Sequence, residues 1–425
     1  MLSLQSSFLI IKEKKLNLSL KENTNVIILI IIAINLNLSY VDFIGDYNPS
    51  LITYSLLLFV FFINLDIKLF LDSKILFLLL ISLFLTAYQL IVKIFVYDSN
   101  LTDVLYLLKI AILVLIFSKV AISKANKFFV MYASSTITII TSYIVILYYY
   151  NMNIIVAIDN IGEYFYDEKN GLSPLLLVGL IFLTSKLKIK WSFLNILTFL
   201  LVSLGILSLV IIQSRTNIMC YLVFLVLFLA FNLFKFRKIK VYLYSVLSIM
   251  FAGLLLLIFN EKVIEFFNTV FRLEYLTYVN GNGIIDKFFS GRLSSIQNNF
   301  NYFYSNPFFG TGFSQEIIIS DAISPLGIHN LWLRSLIYGG LFYTAGLLVF
   351  LLIIFNYFKG FIYANKTMYW GLILVGFLSS LSEPYSPFGP GSNYFYFWLF
   401  FVLNLDVGKD ITNENRNCNK HSIAV

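Results

Sequence analysis

The sequence alternates between long apolar runs and short polar patches over almost its whole length. Most apolar runs extend over roughly 16 to 24 residues, which matches about 30 Å of hydrocarbon when a helix rises 1.5 Å per residue. Each run is therefore interpreted as a spanning helix. The pattern predicts an all-α, polytopic integral membrane protein with about 12 transmembrane helices.

The predicted spans share an apolar core bounded by polar residues, and in chain order they are Val26–Leu38, Ser50–Leu65, Ile75–Phe95, Leu101–Phe117, Phe128–Tyr148, Leu172–Leu183, Trp191–Ile212, Ile218–Phe234, Val241–Phe259, Leu333–Phe355, Met368–Leu381 and Tyr394–Leu405. The first, sixth and last have the shortest cores and could be tilted or partly re-entrant. No repeat and no linker rich in proline or serine divides the chain, so residues 1–425 are interpreted as one membrane domain.

A long polar connection, 260–328, separates the ninth and tenth spans, and connections of this length usually have a function. Within it, Ile296, Phe300 and Phe303 recur at helical spacing, which predicts a short helix with one apolar face. The segment from Asn306 to Phe313 follows, and its proline and glycines end that helix. We therefore expect a structured loop that contains short helices.

Composition supports the membrane interpretation, because 59% of the residues are hydrophobic and only 12% are charged. Lysines cluster in alternate connections, as cytoplasmic loops do: Lys12, Lys14, Lys15 and Lys21, then Lys119 to Lys127, then Lys186, Lys188 and Lys190, then Lys235 to Lys240. This distribution predicts cytoplasmic N- and C-termini and an external 260–328 loop. The net charge of +8 follows from the same asymmetry, so no nucleic-acid partner is expected.

Cysteines and histidines are too few and too scattered to build a disulfide or a metal site. Cys220 lies in a predicted span and Cys418 in the cytoplasmic tail, so the two are predicted in different compartments. His329 and His421 are predicted on opposite sides of the membrane, which argues against a multi-histidine metal centre.

Three arginines are predicted near the external face. Arg215 occupies a very short turn between two spans, Arg292 begins the loop helix, and Arg334 lies just inside the tenth span. A single arginine there could simply extend toward lipid phosphates. Three of them favour a site for phosphate or diphosphate, because guanidinium groups bind such anions with paired hydrogen bonds.

The segment just before the tenth span adds two further candidates. Arg334 follows Asn330 by four residues, so the two are predicted to share a helix face and to direct donors at one ligand. His329 would lie beside them at the mouth of the site. A neutral imidazole in that place could accept the proton of a hydroxyl group.

Two lysines, Lys93 and Lys109, are predicted in the outer halves of the third and fourth spans. An ammonium group at such a depth is costly unless it faces a cavity or a partner, so both are candidate ligand contacts. Pairing with Asp98 or Asp103, or extension toward the membrane surface, is the alternative.

Four segments in this order resemble the O-antigen polymerase and ligase family, and they are Ser214-Arg215-Thr216, Ser290-Gly291-Arg292, the segment from Asn306 to Phe313, and His329-Asn330 followed by Gly339-Gly340. They extend over about 130 residues, from Ile212 to Phe342, and each is short. The number of spans and the long late loop are similar to the family over most of the chain.

The resemblance implies a glycosyltransferase of the bacterial inner membrane, with its active site on the periplasmic side and with no metal or other cofactor. Its donor and acceptor would be undecaprenyl-diphosphate-linked oligosaccharides within membrane lipid, and its partners could include a chain-length regulator protein. His329, Arg215 and Arg292 would be catalytic. The residues expected to bind diphosphate or glycan are Arg334, Asn330, Lys93 and Lys109.

Three other functions remain open. Ligases of the family, which transfer the glycan to the lipid A core, often carry a further glycine where this chain has Phe342-Tyr343-Thr344, and the departure favours a polymerase. A lipid-linked oligosaccharide flippase would usually show related halves and charges at the midplane, whereas the polar features here concentrate at the outer margin. A purely structural membrane protein would not need Arg215, Arg292 and His329.

Overall fold

A computed structural model describes residues 2–38, 49–64, 73–95, 105–120, 122–149, 169–187, 192–212, 214–235, 300, 303–311, 330–359, 365–381, 387–388 and 395–404. The longer elements in these ranges are all α-helices: α1 Leu2–Leu38, α2 Pro49–Asn64, α3 Ser73–Phe95, α4 Tyr106–Lys119, α5 Lys124–Tyr149, α6 Lys169–Lys186, α7 Phe193–Ile211, α8 Arg215–Lys235, α9 Leu331–Lys359, α10 Lys366–Ser380 and α11 Phe395–Leu403.

Each predicted span except the ninth coincides with one of these helices, and the ninth, Val241–Phe259, lies outside the described residues. Within the described part, four helices are long and apolar enough to cross a membrane: Leu20–Leu38, Lys124–Tyr148, Phe193–Ile211 and Leu331–Asn356. Shorter apolar helices pack among them. The prediction of an all-α polytopic membrane protein is confirmed.

Polar side chains hold the first helices together in a defined register. Asn25 of α1 and Asn64 of α2 exchange hydrogen bonds of 3.2 and 2.9 Å, and Asn35 donates to Thr53 at 2.8 Å. Because residues later in α1 pair with residues earlier in α2, the two helices are antiparallel. Interhelical hydrogen bonds of this kind contribute to packing in lipid, where the hydrophobic effect does not drive helix association.

The centre of the bundle is occupied by α11, whose nine residues are all buried. It packs against α4, α5, α6 and α10. The Tyr396 hydroxyl accepts hydrogen bonds from Asn37 of α1 and Thr138 of α5, and it donates to the Ser134 carbonyl at 3.2 Å. One short central helix is therefore tied by hydrogen bonds to two longer ones.

Helix α9 is broken, which the sequence analysis did not predict. Gly340 adopts φ 72° and ψ −175°, a conformation outside the helical region. The Phe377 ring of α10 contacts two rings of α9. Its centre lies 6.1 Å from that of Trp332 and 6.2 Å from that of Phe355. A straight helix would separate residues 332 and 355 by about 34 Å, far more than those distances allow.

The tenth predicted span, Leu333–Phe355, is helical on both sides of Gly340, but the break at that glycine divides it. Residues 331–339, here called α9a, and residues 341–359, here called α9b, are two helices that meet at a sharp bend. Helix α9b packs along α3, where Gly346 leaves room for the side chain of Leu85. Helix α9a is mostly buried within the bundle, as irregular backbone at membrane depth requires.

Candidate functional site

Arg215 is the first residue of α8, and the turn before it is fixed by side-chain hydrogen bonds. The Asn217 amide donates to the Ser214 hydroxyl and to the Ser173 hydroxyl at the start of α6, both at 2.8 Å. Asn217, Ser214 and Ser173 are all buried, whereas Arg215 is half-buried. An arginine in the first turn opposes the helix dipole, so the charge of Arg215 does not stabilise α8.

Helix α10 shows which other residues lie at this end of the bundle. Helix α8 begins beside the start of α6, whereas α10 begins beside its end, because Asn365 donates to the Ser185 carbonyl at 3.1 Å. Helices α8 and α10 are therefore antiparallel. Phe224 of α8 packs against Gly371 of α10. Arg215 lies nine positions before Phe224, and Ser380 lies nine positions after Gly371, so Arg215 and Ser380 lie at the same end of the two helices.

The start of α9a lies at the same end of α10. The Asn330 amide nitrogen donates to the Leu381 carbonyl at 3.0 Å, and the Trp332 indole donates to the Ser380 hydroxyl at 2.7 Å. Two predicted features, Arg215 and the turn that begins at Asn330, are thus brought to one end of the bundle around the end of α10.

The Asn330 side chain caps α9a and holds it against α10, a role that was not predicted from the sequence. Its carbonyl oxygen accepts the Leu333 backbone N–H at 3.0 Å and so caps α9a, while its amide nitrogen is bonded to Leu381. Arg334 lies one turn further on, as predicted, and only 1% of its surface is exposed. Within one turn, therefore, Asn330 positions the helix and Arg334 places a cation in the interior.

The break in α9 is completed by the loop segment 306–311. Thr311 donates to the Ile337 carbonyl from its backbone N–H at 2.8 Å, and Leu341 donates to the Pro307 carbonyl at 2.8 Å. The loop thus satisfies a carbonyl at the end of α9a and an N–H at the start of α9b, groups that a broken helix leaves without intrahelical partners. Residues 306–311 together with 337–342 are called the junction below.

Both halves of the junction depend on a glycine. Gly310 and Gly340 each have φ 72°, a conformation that residues with a Cβ rarely adopt. A Cβ on Gly310 would meet the Tyr338 carbonyl, and a Cβ on Gly340 would meet the Phe308 carbonyl. Residues 306–311, from the predicted Asn306 to Phe313 motif, therefore form one interlocked unit with the Gly339-Gly340 motif.

Tyr88 of α3 contacts the junction from the N-terminal half of the chain. Its hydroxyl lies 3.3 Å from the Gly339 carbonyl and 3.4 Å from the Phe308 carbonyl, and its ring stacks on Phe309. This contact could not be predicted, because a tyrosine inside an apolar span carries no signal of a partner more than 200 residues away in the chain.

The remaining predicted site residues are only partly visible. Lys109 lies near the start of α4 with its ammonium 5.4 Å from the centre of the Tyr54 ring of α2, a cation–π contact. Lys93 belongs to α3, but its side chain lies outside the described residues, as do Arg292 and His329. In the part of the chain that the structure describes, no three His, Cys, Asp or Glu side chains form a group that could hold a metal ion.

The loop helix can be followed at its end. Residues 300 and 303–305 are helical, and Phe300 and Phe303 pack against the core with their rings 5.5 Å apart. The predicted apolar face is present at these two positions. Most of the 260–328 loop, including Ile296, lies outside the described residues.

Comparison with known proteins gives one result for the region that contains this site. Residues 199–350 match the model of a family described as O-antigen ligase. No curated protein matches the chain. The matched segment contains Arg215, the junction and Arg334. The match agrees with the resemblance to the O-antigen polymerase and ligase family, and it covers residues 199–350 of this membrane protein.

Proposed function

We propose that this protein polymerises undecaprenyl-diphosphate-linked O-antigen, or a related surface polysaccharide, at the periplasmic face of the bacterial inner membrane. The observation that carries the proposal is the match at 199–350, which encloses Arg215, Arg292, His329, Asn330 and Arg334. The convergence of Arg215 and the start of α9a around the end of α10 supports it further.

In the proposed reaction, a hydroxyl oxygen of the acceptor glycan attacks the sugar carbon that is bonded to the donor diphosphate. The new glycosidic bond forms as the bond to the diphosphate oxygen breaks, and the lipid diphosphate leaves with both electrons of that bond. His329 takes the hydroxyl proton or orients the hydroxyl group. Each transfer therefore releases one undecaprenyl diphosphate for each glycosidic bond made, and it requires no metal ion.

The arginines act on the leaving group in this mechanism. Negative charge grows on the diphosphate oxygens as the bond breaks, and Arg215 and Arg292 stabilise it more in the transition state than in the ground state. Arg334 adds a cation inside the bundle, where a lower dielectric strengthens its field. Asn330, Lys93 and Lys109 complete the proposed contacts to diphosphate or glycan.

The lipopolysaccharide banding ladder on a gel tests the proposal in a deletion strain that expresses variants of the protein. Arg215→Ala is expected to give single-repeat products, because the cation that stabilises the leaving group is lost, and Arg215→Lys is expected to restore part of the ladder. Lys366→Ala is the matched control, since Lys366 is exposed at the opposite end of α10. A normal ladder in the Arg215→Ala strain would contradict the proposal.

An O-antigen ligase is the second candidate, because the matching family carries that description. The same site chemistry would serve it, with the lipid A core as the acceptor. The deletion strain distinguishes the two activities: a lost polymerase leaves core with one repeat, whereas a lost ligase leaves bare core and accumulates lipid-linked polymer.

A further inference from the structure

The Asn217 side chain joins the start of α8 to the start of α6. Its amide nitrogen carries two hydrogens, and it donates at 2.8 Å both to the Ser214 hydroxyl, just before α8, and to the Ser173 hydroxyl of α6. Asn217, Ser214 and Ser173 are exposed over only 5%, 7% and 0% of their surface. The two bonds are therefore shielded from water, and together they are called the clamp.

The clamp encloses Arg215 in the chain, because Ser214 precedes it and Asn217 follows it by two residues. The first backbone bond at this end of α8 joins the Ile218 N–H to the Ser214 carbonyl at 2.9 Å. Helix ends fray readily, and the charge of Arg215 does not stabilise α8. The clamp counteracts fraying, because it ties the residue before α8 to the third residue inside it.

The clamp also differs from an ordinary helix cap. A serine before a helix usually caps it by accepting a backbone N–H of the second or third helical residue, which involves that helix alone. Here the Ser214 hydroxyl accepts the side-chain amide of Asn217, and the same amide reaches a second helix. The clamp therefore determines where the start of α8 lies relative to α6.

Helix α6 is a firm base for this purpose. It is buried along most of its length and packs against α5, α7, α8, α10 and α11. A residue that is bonded to the start of α6 is thus held against the interior of the bundle. The backbone from which the Arg215 side chain extends is fixed by its neighbours in the chain and by α6.

We propose that Asn217 is a positioning residue for sugar transfer: through the clamp it fixes the start of α8, and hence the point from which the Arg215 guanidinium reaches the diphosphate. This inference rests on the proposed function, because it takes Arg215 to stabilise the leaving group. Catalysis is sensitive to such geometry, since a misplacement of about 1 Å can lower a rate about a hundredfold.

A double-mutant cycle on the purified full-length protein tests this role. Transfer is measured in liposomes that contain the undecaprenyl-diphosphate-linked repeat unit, and rates are expressed per folded protein. Asn217→Leu removes both clamp bonds with little change in side-chain size, and it is expected to lower kcat about tenfold with little change in KM. In the Arg215→Ala background the same change should cost at most about twofold, because the group that Asn217 positions is already gone.

The matched control is Asn64→Leu, because Asn64 is also buried and joins two helices, α1 and α2, by side-chain hydrogen bonds. It should lower thermal stability but leave kcat per folded protein unchanged. Ser173→Ala is a second variant if Asn217→Leu folds poorly, since it removes one clamp bond from the α6 side. It should cause a smaller loss of kcat that also disappears in the Arg215→Ala background.

Hydrogen–deuterium exchange gives a readout that does not depend on activity. Peptides that contain the Ile218 amide should exchange about tenfold faster in Asn217→Leu than in the wild type or in Asn64→Leu, because the start of α8 frays without the clamp. Unchanged protection of this amide would overturn the inference. So would an unchanged kcat in Asn217→Leu, an equal loss in Asn64→Leu, or losses that multiply in the double variant to about a thousandfold, as independent effects do.

Failure of the proposed function gives a different result. A wild type that lengthens no glycan, or an Arg215→Ala variant that lengthens it at the wild-type rate, would overturn the function. A large loss in Arg215→Ala together with full activity in Asn217→Leu would overturn only the positioning role of Asn217.

Discussion

Replacing Gly340 with alanine is expected to open the junction. The methyl group would meet the Phe308 carbonyl, and φ 72° with ψ −175° is a conformation found almost only in glycine. The strain costs about 1 to 3 kcal/mol, and each junction hydrogen bond that is lost adds about 0.5 to 1.5 kcal/mol. We expect a local destabilisation of about 3 kcal/mol, which corresponds to roughly a hundredfold faster opening-limited exchange.

Hydrogen–deuterium exchange of the purified protein measures this opening. Peptides that contain the Thr311 and Leu341 amides should exchange roughly a hundredfold faster in Gly340→Ala, while peptides from α5 and α6 stay protected. Gly179→Ala is the matched control, because a Cβ at Gly179 lies 3.3 Å from Ser135 and its backbone is helical. Equal exchange at the junction in both variants would refute the interlocked arrangement of loop and helix break.

Three further substitutions separate hydrogen bonds from packing. Asn330→Asp keeps the oxygen that caps α9a but loses the bond to Leu381, so we expect it to retain more thermal stability than Asn330→Ala; equal melting temperatures would argue against the cap. Tyr396→Phe removes a hydroxyl that serves three buried partners and should destabilise the fold by about 2 kcal/mol in a denaturation series, whereas Tyr304→Phe, at an exposed ring, should not. Tyr88→Phe keeps the stacking on Phe309, so we expect it to accelerate junction exchange less than Tyr88→Ala does.

The helices could be predicted from the sequence because each apolar run carries its own signal. Length and composition are local properties, so the described helices begin and end close to the predicted limits for most spans. The exception is α1, which begins at Leu2 rather than at Val26. The residues before Val26 mix apolar and polar side chains and include many good helix formers. A search for a continuous apolar run therefore does not find this part of the helix.

The break at Gly340 could not be predicted in the same way. A glycine pair inside an apolar run is compatible with a straight membrane helix, where glycine is frequent. What stabilises the break is the segment 306–311, which lies more than 25 residues earlier and supplies the missing hydrogen bonds. Such a pairing depends on tertiary structure, so the sequence of one segment does not predict that it contacts the other.

Residue type alone predicted which side chains belong to the candidate site. How these side chains lie relative to one another could be seen only in the structure. Arginines near an external face are visible in the sequence, and the described part brings Arg215 to the end of the bundle where α9a begins. The role of Asn330 as a helix cap depends on where α9a starts, which periodicity leaves uncertain by a few residues.

The most direct test of the account is polymerisation by the purified protein in liposomes that contain an undecaprenyl-diphosphate-linked repeat unit. The wild type should lengthen the glycan and release one undecaprenyl diphosphate for each new bond, and Arg215→Ala should lower the rate by at least about a hundredfold. If the wild type makes no longer glycan, or if Arg215→Ala lengthens it at the wild-type rate, the site proposed at the end of α10 is not where the sugar is transferred.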